Sequence, residues 1–266
     1  MVLITPSIES NPDSPDSGVL SISFPEDSGC EPFSVPLRPH QTILGNWKKL
    51  NEVRFYTVAP WEAYICEALP SPPSRSPSEI LSSYFGKPVH LVYKGPRPRL
   101  CDPTTTHPDL NATAVFQDCY PLMVLSEEST TRIEQELRGH VGKQGIDERW
   151  RTEKLVIERF RPNIVFRGAG PFAEDNWTQI KIGALADAPI IDLVSPCTRC
   201  LLPNVSPDTG ERDKAVPYKT LMKFRTGLDP AKKMKPCVGV NGVPRLGTGS
   251  ENWEIRVGDC VVVVGT

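Results

Sequence analysis

Ile190-Ile191-Asp192-Leu193-Val194-Ser195-Pro196-Cys197-Thr198-Arg199-Cys200 runs from an apolar, β-branched segment directly into a closely spaced cysteine pair. Ile190, Ile191, Leu193 and Val194 suit a buried strand. Pro196 is expected to end that strand and lift the cysteines into a loop. A thiolate is the form of cysteine that serves as nucleophile or metal ligand, and the neighbouring Arg199 guanidinium favours that anion. Pro207-Asp208-Thr209-Gly210 follows with turn chemistry, Asp bonding locally and Gly supplying a positive φ. The chemistry is expected here. Two other readings of the pair stand beside it. A structural zinc site needs a second Cys or His pair at similar spacing, whereas Cys237 and Cys260 are isolated and all four histidines lie upstream. A thioredoxin-like pair should open a helix, and Pro203 and Pro207 oppose one.

A second stretch gives the pair its context. Arg159-Phe160-Arg161-Pro162-Asn163-Ile164-Val165-Phe166 leads, after a short loop, to Phe172-Ala173-Glu174-Asp175-Asn176-Trp177. Pro162 fixes its own φ and is expected to hold Arg161 extended. An arginine fork and an Asn amide on a rigid bend suit an anionic, hydrogen-bonding ligand, phosphate above all. A structural arginine paired with Asp or Glu is the other reading. Glu174 and Asp175 are neighbours that point opposite ways on an extended chain, so Asp175 is read as a group that fixes the loop and supports the site. Trp177 is read as a core anchor.

These motifs resemble the MOSC family, named for the C-terminal domain of molybdenum-cofactor sulfurases, and within it the mitochondrial amidoxime-reducing branch. The matching elements are F-R-P-N-I, A-E-D-x-W, C-x-R-C, P-D-T-G and a terminal I-R-V-G-D, in that order over roughly half the chain. The resemblance implies a mainly β (α+β) protein whose core is a MOSC-type β-barrel. It implies a molybdenum cofactor, with Cys200 giving its thiolate to the metal and acting as the catalytic residue. Arg161, Asn163, Cys197, Thr198, Arg199 and Asn241 would contact or flank the phosphate-bearing pterin. Relatives reduce N-hydroxylated substrates such as amidoximes, with electrons arriving from NADH through a flavoprotein reductase and a small haem protein. Pyridoxal phosphate binding comes with the family label. Alternatives on the same residues are a sulfur carrier with a persulfide on Cys200, a cofactor-free relic of the fold, and a zinc module.

Reading outward, 266 residues suffice for one large or two modest domains. A formal charge of −2 gives no support for nucleic-acid binding or a strongly basic membrane surface. The 28 prolines favour short strands and loops over a helical bundle, and eight cysteines without a secretory signal fit reduced thiols in an intracellular compartment. Mitochondrial outer membrane and cytoplasm are both open, since no apolar run spans a bilayer. The expected domains are a partial N-terminal MOSC-associated domain over 1–95, a connection over 96–114 and the MOSC domain over 115–266.

Within these bounds Met1–Ile4, Val19–Phe24, Val53–Val58 and Val89–Tyr93 read as strands. Glu9–Ser17 and Pro70–Pro77 read as exposed loops, and Ser78 as the cap of a helix through Phe85. Pro121–Leu125 reads as a buried strand, followed by a helix capped by Ser126 with Ile133 and Leu137 as its buried stripe. The charged run Lys143–Lys154 reads as a solvated connection. Trp253–Val257 and Cys260–Val264 are expected to form a hairpin about Gly258-Asp259, with Cys260 buried. Relatives carry an upstream Lys-Ser pair and an arginine that help bind the pterin phosphate. This sequence begins after both, so the expectation is a truncated N-terminal domain, an exposed sheet edge and weakened cofactor retention. Where relatives place small hydroxyl residues this chain has Asp118-Cys119-Tyr120.

Overall fold

The computed structural model describes residues 3–54, 60–69, 75–185, 187–245 and 254–266. They divide into two units, one of residues 1–99 with 208–210, the other of 100–207 with 211–266. In the first, β1 (Thr5–Ser10), β2 (Gly18–Ser23) and β3 (Phe33–Pro36) form one antiparallel sheet. After α1 (Gln41–Asn46), β4 (Lys49–Val53), β5 (Trp61–Ile65) and β6 (Val92–Lys94) form a second. Helix α2 (Pro77–Phe85) packs Ile80 and Leu81 with Ile22, Phe33, Val35, Trp47 and Cys66.

Helix α2 is capped two residues before the expected position. Ser76, not Ser78, accepts from the Glu79 amide while the Glu79 carboxylate accepts from the Ser76 amide, and Pro77 opens the first turn. Ser78 instead meets exposed His90, Oγ to Nδ1 at 2.8 Å. The strand expected at Val89–Tyr93 is Val92–Lys94, and Glu9 and Ser10, read as loop, close β1. Met1 and Val2, residues 55–58 of the expected Val53–Val58 strand, and residues 70–74 of the Pro70–Pro77 loop lie outside the described residues.

The boundary between the units falls within short strand β7 (Arg99–Leu100), and β8 (Thr113–Ala114) lies in the second unit. Its centre is a curled six-stranded half-barrel, and the class is the expected α+β, mainly β. It comprises β9 (Leu122–Ser126), β10 (Ile164–Phe166), β11 (Gln179–Ile182), β12 (Ile190–Thr198), β13 (Cys237–Arg245) and β14 (Val261–Gly265), in the order β10-β9-β13-β12-β11-β14. Among the described residues of this sheet, only β9 and β10 pair in parallel. Between β9 and β10 lies α3 (Glu127–Arg138), capped by Ser126, whose Oγ accepts from the Glu128 amide at 3.1 Å. Ile133 and Leu137 are fully buried against Leu125, Trp150, Phe160 and Leu221, the last on α4 (Tyr218–Phe224). The other face of the sheet packs Val124, Ile164, Ile180, Ile191, Leu193 and Val240, with Trp177 tilted against Phe166 at 4.8 Å between ring centroids.

Four expectations are corrected in this unit. Pro196 does not end β12, which continues to Thr198. Beyond Asp192 the strand pairs along β13, with register shifts at Leu193/Ser195 and Pro196/Thr198, so a residue without an N–H is tolerated there. The 143–154 run is not merely solvated, because Ile146 and Trp150 are buried and the latter's Nε1 donates to Asp213 at 2.8 Å. No hairpin forms about Gly258 among the described residues: Glu254–Arg256 are not strand, Trp253 lies outside the described residues, and β14 pairs with β11 instead. Cys260, ahead of that edge strand, is exposed.

Candidate functional site

The half-barrel brings the separated motifs into one line. Met123 on β9 lies opposite Asn241 on β13, and Asn241 lies opposite Ser195 on β12. On the other side Asn163, one residue ahead of β10, donates its amide to the Met123 carbonyl at 2.9 Å and accepts from the Met123 amide through Oδ1 at 2.8 Å. Asn163, Met123, Asn241 and Ser195 therefore form one row. Neighbouring strands are about 4.8 Å apart, which separates Asn163 from Asn241 by roughly 10 Å. Asn241 turns its Nδ2 to Ser195 Oγ at 3.0 Å and to the Pro196 carbonyl at 3.5 Å. Burial pushes the nearby Tyr120 phenol up to about 12, partly countered by its hydrogen bond with Ser195.

The cysteine pair sits past this row. Thr198, half-buried, is the last residue of β12 and pairs with Cys237. Arg199 ties the two motifs together: its Nη2 donates to the Phe160 carbonyl at 2.7 Å and its Nη1 to Cys197 Sγ at 3.1 Å. Its amide donates to the Pro236 carbonyl at 2.8 Å, and its guanidinium lies 5.7 Å from the Phe160 ring. The guanidinium thus engages Cys197, and Cys200 is left exposed, its Sγ accepting only from the Leu202 amide, at 3.4 Å, among the described contacts. Arg199 Nε is buried and has no hydrogen-bond partner among the described residues.

Arg161 departs from the expected extended conformation. Its φ of 56° is left-handed, because the 3-10 turn Ile157–Phe160 ends on it and its amide closes back to the Glu158 carbonyl at 3.0 Å. Proline at 162 disfavours only the right-handed helical region strongly for its predecessor, and here the closing turn and not the proline sets the Arg161 backbone. The side chain is exposed and makes no ion pair among the described residues.

Polar residues that no motif announced hold the loop after Cys200. Buried Arg159 donates from Nη1 to the Pro203 and Asn204 carbonyls, both at 3.3 Å. Asn204, also buried, donates to the Asp213 carbonyl at 3.0 Å and accepts from the Tyr218 amide at 3.1 Å. Asp213 accepts from the Ala215 and Val216 amides, Arg149 and Trp150. Burial raises the Asp213 pKa, and these four donors more than offset it, leaving the group below the usual carboxylate range.

Asp175 fixes the start of β13. Its carboxylate pairs with Arg225 at 2.7 and 2.9 Å, while Arg225 Nε donates to the Cys237 carbonyl at 2.9 Å and its guanidinium lies 3.9 Å from the Phe172 ring centroid. Cys237 is the partner of Thr198, so this pair supports the strand opposite the cysteine motif. Glu174 points the other way, fully buried, and accepts from Ser129 Oγ at 2.9 Å; burial pushes its pKa up. Burial likewise raises Cys237 to about 11 and raises Cys119, whose thiol is also influenced by Lys232 and Cys197. Among the described residues no group of three or more His, Cys, Asp or Glu could hold a metal ion, and no helix is long and apolar enough to cross a membrane.

Residues 111–262 match the MOSC domain family. The chain is 32% identical over 162 residues to mitochondrial amidoxime reducing component 2 of Macaca fascicularis, covering 58% of this chain and 40% of that protein. It is 34% identical over 153 residues to mitochondrial amidoxime-reducing component 1 of Mus musculus, covering 56% and 38%. A molybdenum cofactor sulfurase of Danio rerio is 28% identical over 150 residues, covering 56% of this chain and 17% of that protein. The matched segment thus spans about 40% of the amidoxime-reducing relatives. With the Asn163, Asn241 and cysteine motifs gathered on one half-barrel and more than half its length matched, the chain belongs to the MOSC domain family.

Proposed function

We propose that this chain binds a molybdenum cofactor and takes part in reducing N-hydroxylated substrates, with Cys200 as the metal's protein ligand. The observation that carries this reading is the division of labour in the cysteine pair: Cys197 is engaged by Arg199, while Cys200 is exposed. A soft thiolate suits a redox-active metal. The residues present fit the group. Cys200 offers one sulfur donor, Arg161 an exposed guanidinium suited to phosphate, and the Asn163–Asn241 row amide groups at its base. When bound, such a cofactor supplies the redox capacity that side chains lack.

The chain's own residues then have distinct tasks. Cys200 holds the metal, and Thr198 presents backbone and hydroxyl groups beside it. Arg199 sets the spacing between the cysteine loop and the Phe160–Asn163 bend, and two of its side-chain nitrogens are committed to that. Asp175 acts through Arg225 on the strand facing Thr198. The proposed domain limits stay at 1–95 and 115–266, with 96–114 between. Electron supply by a small haem protein and a flavoprotein reductase belongs to the same proposal.

Elemental analysis of the purified chain tests it: Cys200→Ala should lose its molybdenum and Cys197→Ala should keep most of it. Equal loss in both variants overturns the single-ligand assignment. An exposed Cys200 also suits a persulfide carrier, a reading favoured by the likeness to a molybdenum cofactor sulfurase. Sulfane sulfur on Cys200 without molybdenum would select it.

A further inference from the structure

All eight cysteines are free thiols, and one of them, Cys119, lies in the second unit on no element that the motifs announced. The topology carries it to the cysteine motif. The segment ahead of β9 crosses towards β12, where Tyr120 shares a hydrogen bond with Ser195. The Tyr120 hydroxyl also donates to the Asp102 carbonyl at 3.0 Å, which pins the segment at a second point. Cys119 is thereby held against β12. Cys197 lies two residues beyond Ser195 on that strand, so the two side chains share a face. It packs against the cluster that contains Met123, the neighbour of Asn241 in the row. Cys119 and Cys197 are close enough for the second to add to the burial effect on the first.

The neighbouring thiols are held in different ways. Cys197 is half-buried, its Sγ accepting from Arg199 Nη1 at 3.1 Å, while Cys200 Sγ accepts from the Leu202 amide at 3.4 Å. The two members of the closely spaced pair therefore answer to different partners. Cys237 also lies near Cys197, but it is fully buried and its thiol donates to the Lys235 carbonyl at 3.8 Å, out of reach of a dissolved oxidant. Cys119 is exposed. It combines access from solution with a thiol neighbour behind it, the arrangement of an oxidation-sensitive cysteine and its resolving partner.

We infer that Cys119 and Cys197 are a reversible thiol–disulfide pair, closed by low-molecular-weight disulfides, that ties the segment ahead of β9 to the strand carrying the cysteine motif. The Cys119 thiolate attacks the oxidant, forming a mixed disulfide and releasing one small thiol. Cys197 then attacks the Cys119 sulfur and releases the other. Two electrons pass from the pair to the oxidant, and the protons of the two protein thiols end on the two small thiols. Closure turns the sulfur beside Arg199 from an ionisable group into a neutral one, at the residue that links the motif to the Phe160 bend. Neither step involves Cys200, so the pair goes beyond the molybdenum reading.

The test treats the full, folded chain with glutathione disulfide, blocks remaining thiols by alkylation and digests with trypsin. Cleavage after Arg199 separates Cys197 from Cys200, and fragmentation of the linked peptide distinguishes Cys119 from Cys101 on the same peptide. The parent should show Cys119 joined to Cys197, and dithiothreitol should return both as free thiols. Cys119→Ser should lose the bond, with thermal melts showing it folded as expected for an exposed position. Cys197→Ala should leave a glutathione adduct on Cys119. A parent that stays reduced or carries only glutathione adducts overturns the proposal, as does Cys197 joined instead to Cys200 or Cys237. Cys200→Ala should keep the bond, and its loss there also overturns the pair. Molybdenum content is measured separately, so a bond kept in Cys200→Ala with metal also kept counts against the metal assignment alone.

Discussion

Asp175→Asn removes the charge from a carboxylate that grips both terminal nitrogens of Arg225, at 2.7 and 2.9 Å. The Arg225 side chain is 6% exposed and that of Asp175 16%, so water can replace little of what is lost. Removing one partner of a buried pair typically costs about 3–5 kcal/mol, because the survivor is left buried and uncompensated. Here Arg225 keeps the Cys237 carbonyl at 2.9 Å and the Phe172 ring at 3.9 Å, and an Asn oxygen can still accept one bond. The expected cost is therefore lower, about 2–3 kcal/mol. Arg225→Met should cost more, about 4 kcal/mol, since it also strips the Cys237 and Phe172 contacts.

A chain of two units has no single unfolding free energy, so a local measurement is required. Hydrogen exchange of the amides of Cys237–Val240 reports opening of the supported strand. At 1.36 kcal/mol per factor of ten, Asp175→Asn should speed that exchange roughly 30- to 160-fold. The double variant should cost at least about 1 kcal/mol less than the sum of the singles. Exchange within twofold of the parent, or strictly additive costs, would refute the view that this pair holds β13 in place.

Three other outcomes follow from the geometry. Because Arg161 is exposed and unpaired among the described residues, Arg161→Lys should leave thermal stability unchanged and weaken cofactor retention by about 1–2 kcal/mol; unchanged occupancy would count against a phosphate role. Asp213→Asn should cost about 2 kcal/mol at pH 7. The folded-state pKa is lowered, so its stabilisation is present above the unfolded value near 4 and is lost as pH falls through the folded value; thermal melts of parent and variant should converge on acidification, and divergence would show the sign to be wrong. Gly239 has φ of 73°, and an added Cβ would lie 2.6 Å from Met123 Sδ and 2.7 Å from the Val124 carbonyl oxygen. Gly239→Ala should therefore destabilise the second unit by about 2 kcal/mol or more, read as a lowered urea midpoint, and an unchanged midpoint would contradict the tight β9–β13 approach.

The parts of this molecule legible in its sequence are those where a local pattern and its physical cause coincide. Ser126 before Glu127 and Glu128, with Ile133 and Leu137 four apart, is a cap, a charged first turn and a buried stripe, and α3 has all three. Pro196 misleads because its effect depends on the neighbouring edge of the strand, which no local pattern records. Residue type alone suggests a buried Cys260, yet the chain enters an edge strand there. At the site, Asn163 and Asn241 are legible as motif members, but their shared row comes from register. Arg225, Asn204 and Asp213 are not legible at all: each is a lone polar residue whose partners are fixed by the fold and not by any local pattern.

The row that carries the site has a consequence for how it can form. Asn163 meets Met123 across 40 residues, Arg199 meets Phe160 across 39, and Asn241 meets Ser195 across 46. Closing each such loop costs roughly 3 kcal/mol of chain entropy before any bond rewards it. Contacts of this separation slow folding, and none can be satisfied within a short peptide. A fragment bearing only the cysteine motif would thus carry the thiols without Arg199's anchor on Phe160. Site geometry should arise late and together, when β13 enters between β9 and β12, so that a newly made chain acquires a competent Cys200 loop only once the strands of the half-barrel have collapsed as one body.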